Sequence, residues 1–251
     1  MPRIVTLLTD FGTSDGYVGE MKGVLMSGAP DCVVTDIAHD LVPQDVEAGR
    51  LALARYWRRF PTGTIHVAVI DPGVGGTRVA LAVESEGRFL VGPDNGILSP
   101  AMLHPGARCV SLRVPPGASA TFHGRDVFAP AAVRLASGMS LDALGSPHED
   151  PVLLRTPESI RDANGVTHGV VLGADRFGNI LTNLVARRGA SVEIAGRVLP
   201  VARSYVDVAS GELSALTGSS GLLEIALRDG NAATLLGAQR GQPVLLRHRE
   251  L

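Results

Sequence analysis

The residues that could do chemistry fall in four glycine-bearing loops, each following a strand-like run. In TIHVAVIDPGVGGTR, residues 64–78, a β-branched apolar run ends in Asp71, then Pro72, three glycines and Arg78. A run of that composition suits a strand buried on both faces. Ionisable residues just past the ends of such strands are where open α/β sheets hold ligands and reacting groups. Asp-Pro-Gly is also ordinary turn language, so Asp71 by itself decides nothing. The segment FHGRD at 122–126 supplies a partner, because His123 beside Asp71 and Arg78 would complete an acid–base group able to hold and polarise a water molecule. Arg125 and Asp126 read instead as a helix-start pair, with Asp126 on the N-terminal dipole.

Two further loops offer binding groups. In TDFGTSDG, residues 9–16, Asp10 directly follows a strand and can accept two hydrogen bonds, as a ribose diol requires. Asp15 is a second candidate, although the N-cap of the helix beginning at Tyr17 is the favoured reading for it. In DRFGN, residues 175–179, Asp175, Phe177 and Asn179 suit an amino group, a purine ring and a purine edge. A type I or II turn, using Asp, Gly and Asn for their backbone habits, competes with that assignment.

The elements that must position these loops are legible from periodicity. Ile4–Thr9 and Cys32–Ile37 read as strands. Helices are expected from Tyr17 to about Ser27 and from Asp45, as N-cap, to Phe60. Strand–helix–strand–helix–strand with short connections predicts an N-terminal α/β domain with a mainly parallel sheet over residues 1–150. A hairpin turned at Glu86-Gly87 (79–84 and 88–91), a strand over 110–114 and a helix over 126–138 continue it, with Pro130 tolerated only near a first turn. Residues 151–165 have linker composition. Strand-like runs at 169–173, 191–195, 197–202, 222–227 and 243–247, with a brief helix at 231–237, then predict an all-β, barrel-like domain over 166–251.

Composition narrows the function classes. With 45% hydrophobic residues and a formal charge of −2, the chain has no basic run and no aromatic-interleaved patch, which argues against nucleic acid. No apolar stretch nears the roughly 18 residues that span a bilayer, and no signal-peptide pattern opens the sequence, so no membrane association is expected. Cys32 and Cys109 lack a CxxC partner and read as buried thiols of a reducing cytoplasm. Gly73-Val74-Gly75-Gly76 is not GxGxxG, and P-loop, GxSxG and metal-ligand spacings are missing. Neither metal nor cofactor is therefore expected.

Taken in order, TDFGTSDGYVGEMKG, IDPGVGGTR, GPDNG, FHGRDVFAP, DRFGNILTN and GSSGLLEIALRDGNAA cover nearly the whole chain. In these motifs the sequence resembles the S-adenosyl-L-methionine (SAM) hydroxide adenosyltransferases, SAM hydrolases related to the fluorinase and chlorinase. The resemblance implies an α/β domain followed by a β-barrel, and water attack on SAM, as substrate, to give adenosine and methionine. It implies a homotrimer with SAM between the N-terminal domain of one subunit and the C-terminal domain of its neighbour. Asp71, Arg78 and His123 match the water-activating set; the halogenating relatives carry a tyrosine and a small residue in place of Asp71 and His123. Asp10 matches the ribose-binding aspartate and Asp175 the acceptor of the methionine amino group. Phe177 and Asn179 match adenine contacts, Ser219 a serine near the methionine carboxylate, and the backbone of Asn231–Ala233 a further adenine contact. Gln44 and Tyr17 depart from the fluorinase, which has tryptophan and serine there, and the loop before Phe177 is one residue shorter. A halogenase and a SAM- or adenosine-binding sensor without turnover are the competing readings.

Overall fold

The buried β-branched runs become neighbouring strands, and the glycine loops become the turns that end them. The computed structural model describes residues 3–185 and 189–247. The chain divides into two compact units, Met1–Arg155 and Thr156–Leu251.

The first unit runs β1 (Ile4–Thr9), α1 (Tyr17–Gly28), β2 (Val33–Ala38), α2 (Val46–Tyr56), β3 (Ile65–Val69), β4 (Ala80–Ser85), β5 (Arg88–Pro93), α3 (Ser99–Met102), β6 (Arg108–Leu112), α4 (Ala129–Ala136), α5 (Leu141–Leu144) and β7 (Gly145–Pro147). Its seven-stranded sheet has the order β2-β1-β3-β5-β4-β6-β7. The first four strands are parallel, and β4, β6 and β7 continue the sheet antiparallel. Alternate residues separate two cores across it. Val5, Leu7, Val67 and Val69 pack with Met21, Leu25, Phe128 and Leu135, whereas Leu8, Ala68 and Ile70 pack with Leu53, Trp57 and Ile97. All five residues of β3 are buried, as its composition predicts.

Local signals explain the ends. Asp45 caps α2 by accepting from the Ala48 backbone N–H at 2.9 Å. That helix gives way after Tyr56 to a 3-10 turn over Trp57–Arg59, so its α-helical part ends four residues short of the predicted end at Phe60. Glu86 (φ 48°) and Gly87 (φ 69°) make the β4–β5 hairpin turn, both in the left-handed region that matches strand twist. Residues Gly124–Phe128 form a π-helical turn that leads into α4. Pro130 then lies in the first turn of α4, directly after that π-helical turn, the position at which a helix tolerates proline.

The second unit is β8 (Ile160–Arg161), β9 (Val166–Ala174), β10 (Ile180–Thr182), β11 (Ser191–Ile194), β12 (Arg197–Ala202), β13 (Leu213–Thr217), β14 (Leu223–Leu227), α6 (Ala232–Leu236) and β15 (Pro243–Arg247). The order β10-β14-β13-β12-β11-β15-β9 closes on itself through β9–β10 pairing, a seven-stranded barrel with β8 appended to β9. Val171, Ile180, Val192, Ile225 and Leu246 fill it. Strands β8, β10 and β13 lie outside the strand-like runs that periodicity predicts, β8 within the stretch of linker composition. The stretch 151–165 is shared between the units: Val152 N–H donates to Asp94 Oδ1 (2.8 Å) and Leu154 N–H to Ser99 Oγ (2.8 Å), while Ile160–Arg161 pairs with β9.

Candidate active site

Strands β2 and β3 flank β1 on opposite sides, so the chain reverses its direction of travel across the sheet at the β1/β3 boundary. The carboxyl ends of strands at such a boundary open a crevice, and the loops there lie over it. Thr9 is in register with Val69, which puts Asp10 and Asp71 just beyond neighbouring strand ends. Each is held from behind. Asp10 Oδ2 accepts the backbone N–H of Gln44 at 2.7 Å, and Gln44 takes a left-handed φ of 67° to donate it. The carbonyl of Ile70, the residue before Asp71, accepts from Asn95 Nδ2 at 2.8 Å, and Asn95 Oδ1 in turn accepts from Ile97 N–H at 3.2 Å. Asn95 lies in GPDNG, which periodicity reads only as a glycine turn; its amide is the positioning group that reading missed.

Asp71, Arg78 and His123 form one hydrogen-bonded group. Arg78 Nε donates to Asp71 Oδ1 at 2.9 Å, and Arg78 Nη2 donates to Asp71 Oδ2, a two-pronged contact that fixes both planes. Both side chains are largely buried, 4% of Asp71 and 10% of Arg78 being exposed. Arg78 Nη2 also lies 2.8 Å from His123 Nδ1. A guanidinium has only donors, so Nδ1 must accept and the proton of a neutral His123 sits on Nε2. Burial, and then the adjacent Arg78 charge, hold the His123 pKa below the ordinary histidine value against the pull of Asp71 and Asp126. His123 is therefore neutral at pH 7, with Nε2–H as a donor. Arg78 Nη1 is buried with no hydrogen-bond partner among the described residues, and the guanidinium stacks 5.4 Å from the Phe128 ring. A buried unpaired N–H is costly, and a bound water or anion would satisfy it.

Close backbone approach brings these residues together. A Cβ on Gly75 would fall 2.1 Å from the Ala120 carbonyl oxygen, and Gly75 has φ 74°. The 71–78 loop can therefore lie against the segment carrying His123 only without a side chain there. On the other side Phe122 packs edge-on against Phe11 (5.9 Å) and Tyr17 (5.3 Å). Gly75→Ala is expected to destabilise the protein by at least about 2 kcal/mol, combining left-handed strain with a backbone clash. Gly117, with φ 87° and open space around its Cα, is the control. Gly117→Ala should cost only about 1 kcal/mol, so urea unfolding of the two variants isolates the close approach. Equal losses would show that the contact is not tight.

The other candidates have local partners of their own. Asp15 is exposed and does not cap α1; Gly16 (φ 79°) takes the N-cap position with no side-chain cap bond. Glycine reaches that left-handed conformation without strain, so the cap needed no carboxylate. Asp126 accepts from Ser119 N–H (2.8 Å) and pairs with Arg125, which also reaches Glu20, so it secures the loop before the helix. In the second unit Asp175 Oδ1 accepts the N–H groups of Phe177 and Asn179, both at 2.9 Å, and Oδ2 accepts Asn179 Nδ2 at 3.0 Å. Asp175 and Asn179 thus build the turn, and the turn leaves Phe177 77% exposed. Asn231 caps α6 through Oδ1 to Thr234 N–H (2.7 Å), and Ala233 N–H donates to Gly178 O (2.9 Å). Gly178 (φ 82°) lies where a Cβ would meet Asn231, so this loop and the 175–179 turn are one fitted surface. Ser219 is exposed in the turn between β13 and β14.

Residues 5–145 match the model of the SAM hydroxide adenosyltransferase N-terminal domain and residues 169–245 that of its C-terminal domain. An (R)-S-adenosyl-L-methionine hydrolase of Thermus thermophilus is 42% identical over 257 residues, covering 97% of this chain and 99% of its own length. A fluorinase of Actinopolyspora mzabensis is 30% identical over 212 residues, 72% of this chain and 71% of its own. The crystal structure of a conserved protein from Thermotoga maritima superposes with a TM-score of 0.89 at 29% identity, covering 97% of this chain and all of that one.

Proposed function

Given that the chain belongs to the SAM hydroxide adenosyltransferase family, we propose that it hydrolyses SAM by attack of water or hydroxide at C5′ of the ribose. The C5′–S bond breaks as the C5′–O bond forms. Its electron pair stays on sulfur as the thioether of L-methionine, the other product is adenosine, and one water proton is released. The sulfonium leaves without protonation, so what the reaction lacks is a nucleophile: bulk water has a pKa of about 15.7.

The observation that carries the reading is the Asp71–Arg78–His123 group with its unsatisfied Arg78 Nη1. Arg78 and the Nε2–H of His123 are donors and would stabilise hydroxide character at one oxygen. With Nδ1 of His123 engaged by Arg78, Asp71 is the one anion of the three and the acceptor for the water proton. Asp10 would pin the ribose diol so that attack is in line with the departing sulfur. Asp175, Phe177, Asn179, Ser219 and the backbone of Asn231–Ala233 would hold the methionine and adenine ends, with Asp15 an outer polar contact. A buried carboxylate at position 71 also repels a halide, which favours water over a 5′-halogenase. A binding sensor would have no need of the group.

The family resemblance further supports a homotrimer in which each site joins two subunits. Its location would be the cytoplasm; no helix of the described residues is long and apolar enough to cross a membrane. Incubation with SAM in halide-free ¹⁸O-water, followed by mass spectrometry, tests the function. Labelled adenosine with methionine is the expected outcome. Chloride-dependent 5′-chloroadenosine would replace the reading with the halogenase, and bound but unconverted SAM with the sensor.

A further inference from the structure

We propose that His39 is a positioning residue for Asp10, holding the loop after β1 in the shape that presents the Asp10 carboxylate to a ribose diol; this rests on the ribose reading of Asp10 given above. His39 touches that loop on both sides of Asp10. Its Nδ1 lies 2.8 Å from Thr9 Oγ1, and its carbonyl oxygen accepts the N–H of Gly12 at 2.7 Å. His39 and Thr9 are both buried, 6% and 0% exposed, so the bond between their side chains does not compete with water.

The polarity of the contacts follows from Asp36. Burial pushes that carboxyl up, but the Lys22 hydrogen bond and the nearby Lys22 and His39 outweigh it and hold its pKa below the ordinary carboxylate value. His39 Nε2 is buried and makes no well-directed hydrogen bond among the described residues, but it lies 3.1 Å from Asp36 Oδ1, within ion-pair reach, and a carboxylate there favours the proton on Nε2. Nδ1 then accepts the Thr9 hydroxyl proton, which leaves Thr9 Oγ1 to accept the N–H of Phe11 at 3.3 Å. Donation thus runs from the backbone N–H of Phe11, directly after Asp10, to Thr9 and from Thr9 to His39, while the Asp36 carboxylate, which also accepts from Lys22, fixes the His39 proton at the far end. A histidine, a threonine and an aspartate in this order resemble a nucleophilic triad. The full burial of Thr9 removes its hydroxyl from any substrate and leaves the arrangement a structural purpose.

The test uses the full chain and two probes, adenosine and 2′-deoxyadenosine, titrated by calorimetry. The wild type should prefer adenosine at least about tenfold, the worth of one well-placed hydrogen bond to a charged group. His39→Ala and Thr9→Val should weaken adenosine about tenfold while changing 2′-deoxyadenosine less than about threefold, so that the preference collapses. His39→Asn, whose amide oxygen can stand where Nδ1 stood and accept from Thr9, should recover part of it. Variants that melt near the wild type yet keep its adenosine preference would overturn the role of His39. If His39→Ala does not fold, the near-isosteric Thr9→Val carries the same decision. A wild type that fails to distinguish the two nucleosides would overturn the inference at its premise, the ribose role of Asp10, and is recognised before any variant is made.

Discussion

Asp71→Asn is expected to lower the rate of SAM hydrolysis by at least about a thousandfold while leaving the Kd for SAM within about threefold. The substitution preserves size and one acceptor. The Asn oxygen can still receive Arg78 Nε, which wild-type Asp71 receives at 2.9 Å. What disappears is the negative charge. Arg78 and the Nε2–H of His123 are both donors, so without Asp71 nothing in the group can take a proton from water. The Asn amide nitrogen would also face Arg78 Nη2, donor against donor, and tilt the guanidinium away from His123 Nδ1, now 2.8 Å distant.

Asp71→Ala is the blunter experiment. It strands a guanidinium of which only 10% is exposed, and breaking a buried pair from one side costs about 3–5 kcal/mol. Lost activity could then be lost fold. With Asn, equilibrium SAM binding and single-turnover hydrolysis on the same sample separate the two roles. A Kd that rises in step with the fall in rate would mean that the carboxylate binds substrate and does not activate water.

What made this group legible before any fold was known is that its residues sit in motifs with local signatures. A β-branched run ending in Asp-Pro-Gly fixes a strand end, and glycines fix the loop behind it. The hairpin at Glu86-Gly87 and the cap at Asp45 are likewise short-range features, and both stand as read. The contacts between segments were not legible. Nothing near Gly75 in sequence announces Ala120, and nothing near His39 announces Thr9 and Gly12, about thirty positions away. Strand β10 is three residues long and β13 reads LSALT, too short and too mixed for a period to emerge. Asp15 misled for a related reason: Ser-Asp-Gly supplies two plausible caps, and backbone conformation, invisible in composition, chose the glycine.

His66 carries the second large effect, on stability and not on catalysis. It lies in β3 with no exposed surface, its Nδ1 2.8 Å from Thr6 Oγ1 and its ring edge-on to Tyr56 (5.4 Å) and Phe60 (5.6 Å). Burial drives its pKa from 6.5 to about 4, with the Trp57 backbone pulling upward and the Arg88 charge pushing further down, and its Nε2 makes no well-directed hydrogen bond among the described residues. The folded protein therefore resists protonation that the unfolded chain accepts. This contribution is complete above the unfolded pKa near 6.5 and is lost as pH falls toward 4, where it amounts to about 3 kcal/mol. His66→Asn removes the titrating ring and keeps a side chain able to bond Thr6. Urea unfolding at pH 7 and pH 4 should show the wild type losing about 3 kcal/mol more than the variant between those conditions. Carboxylates elsewhere weaken both proteins alike in acid and cancel in the difference. A variant that loses as much stability as the wild type would mean that His66 is reached by water and protonated in the folded state. The dry contact of β3 with Tyr56 and Phe60 would then be wrong.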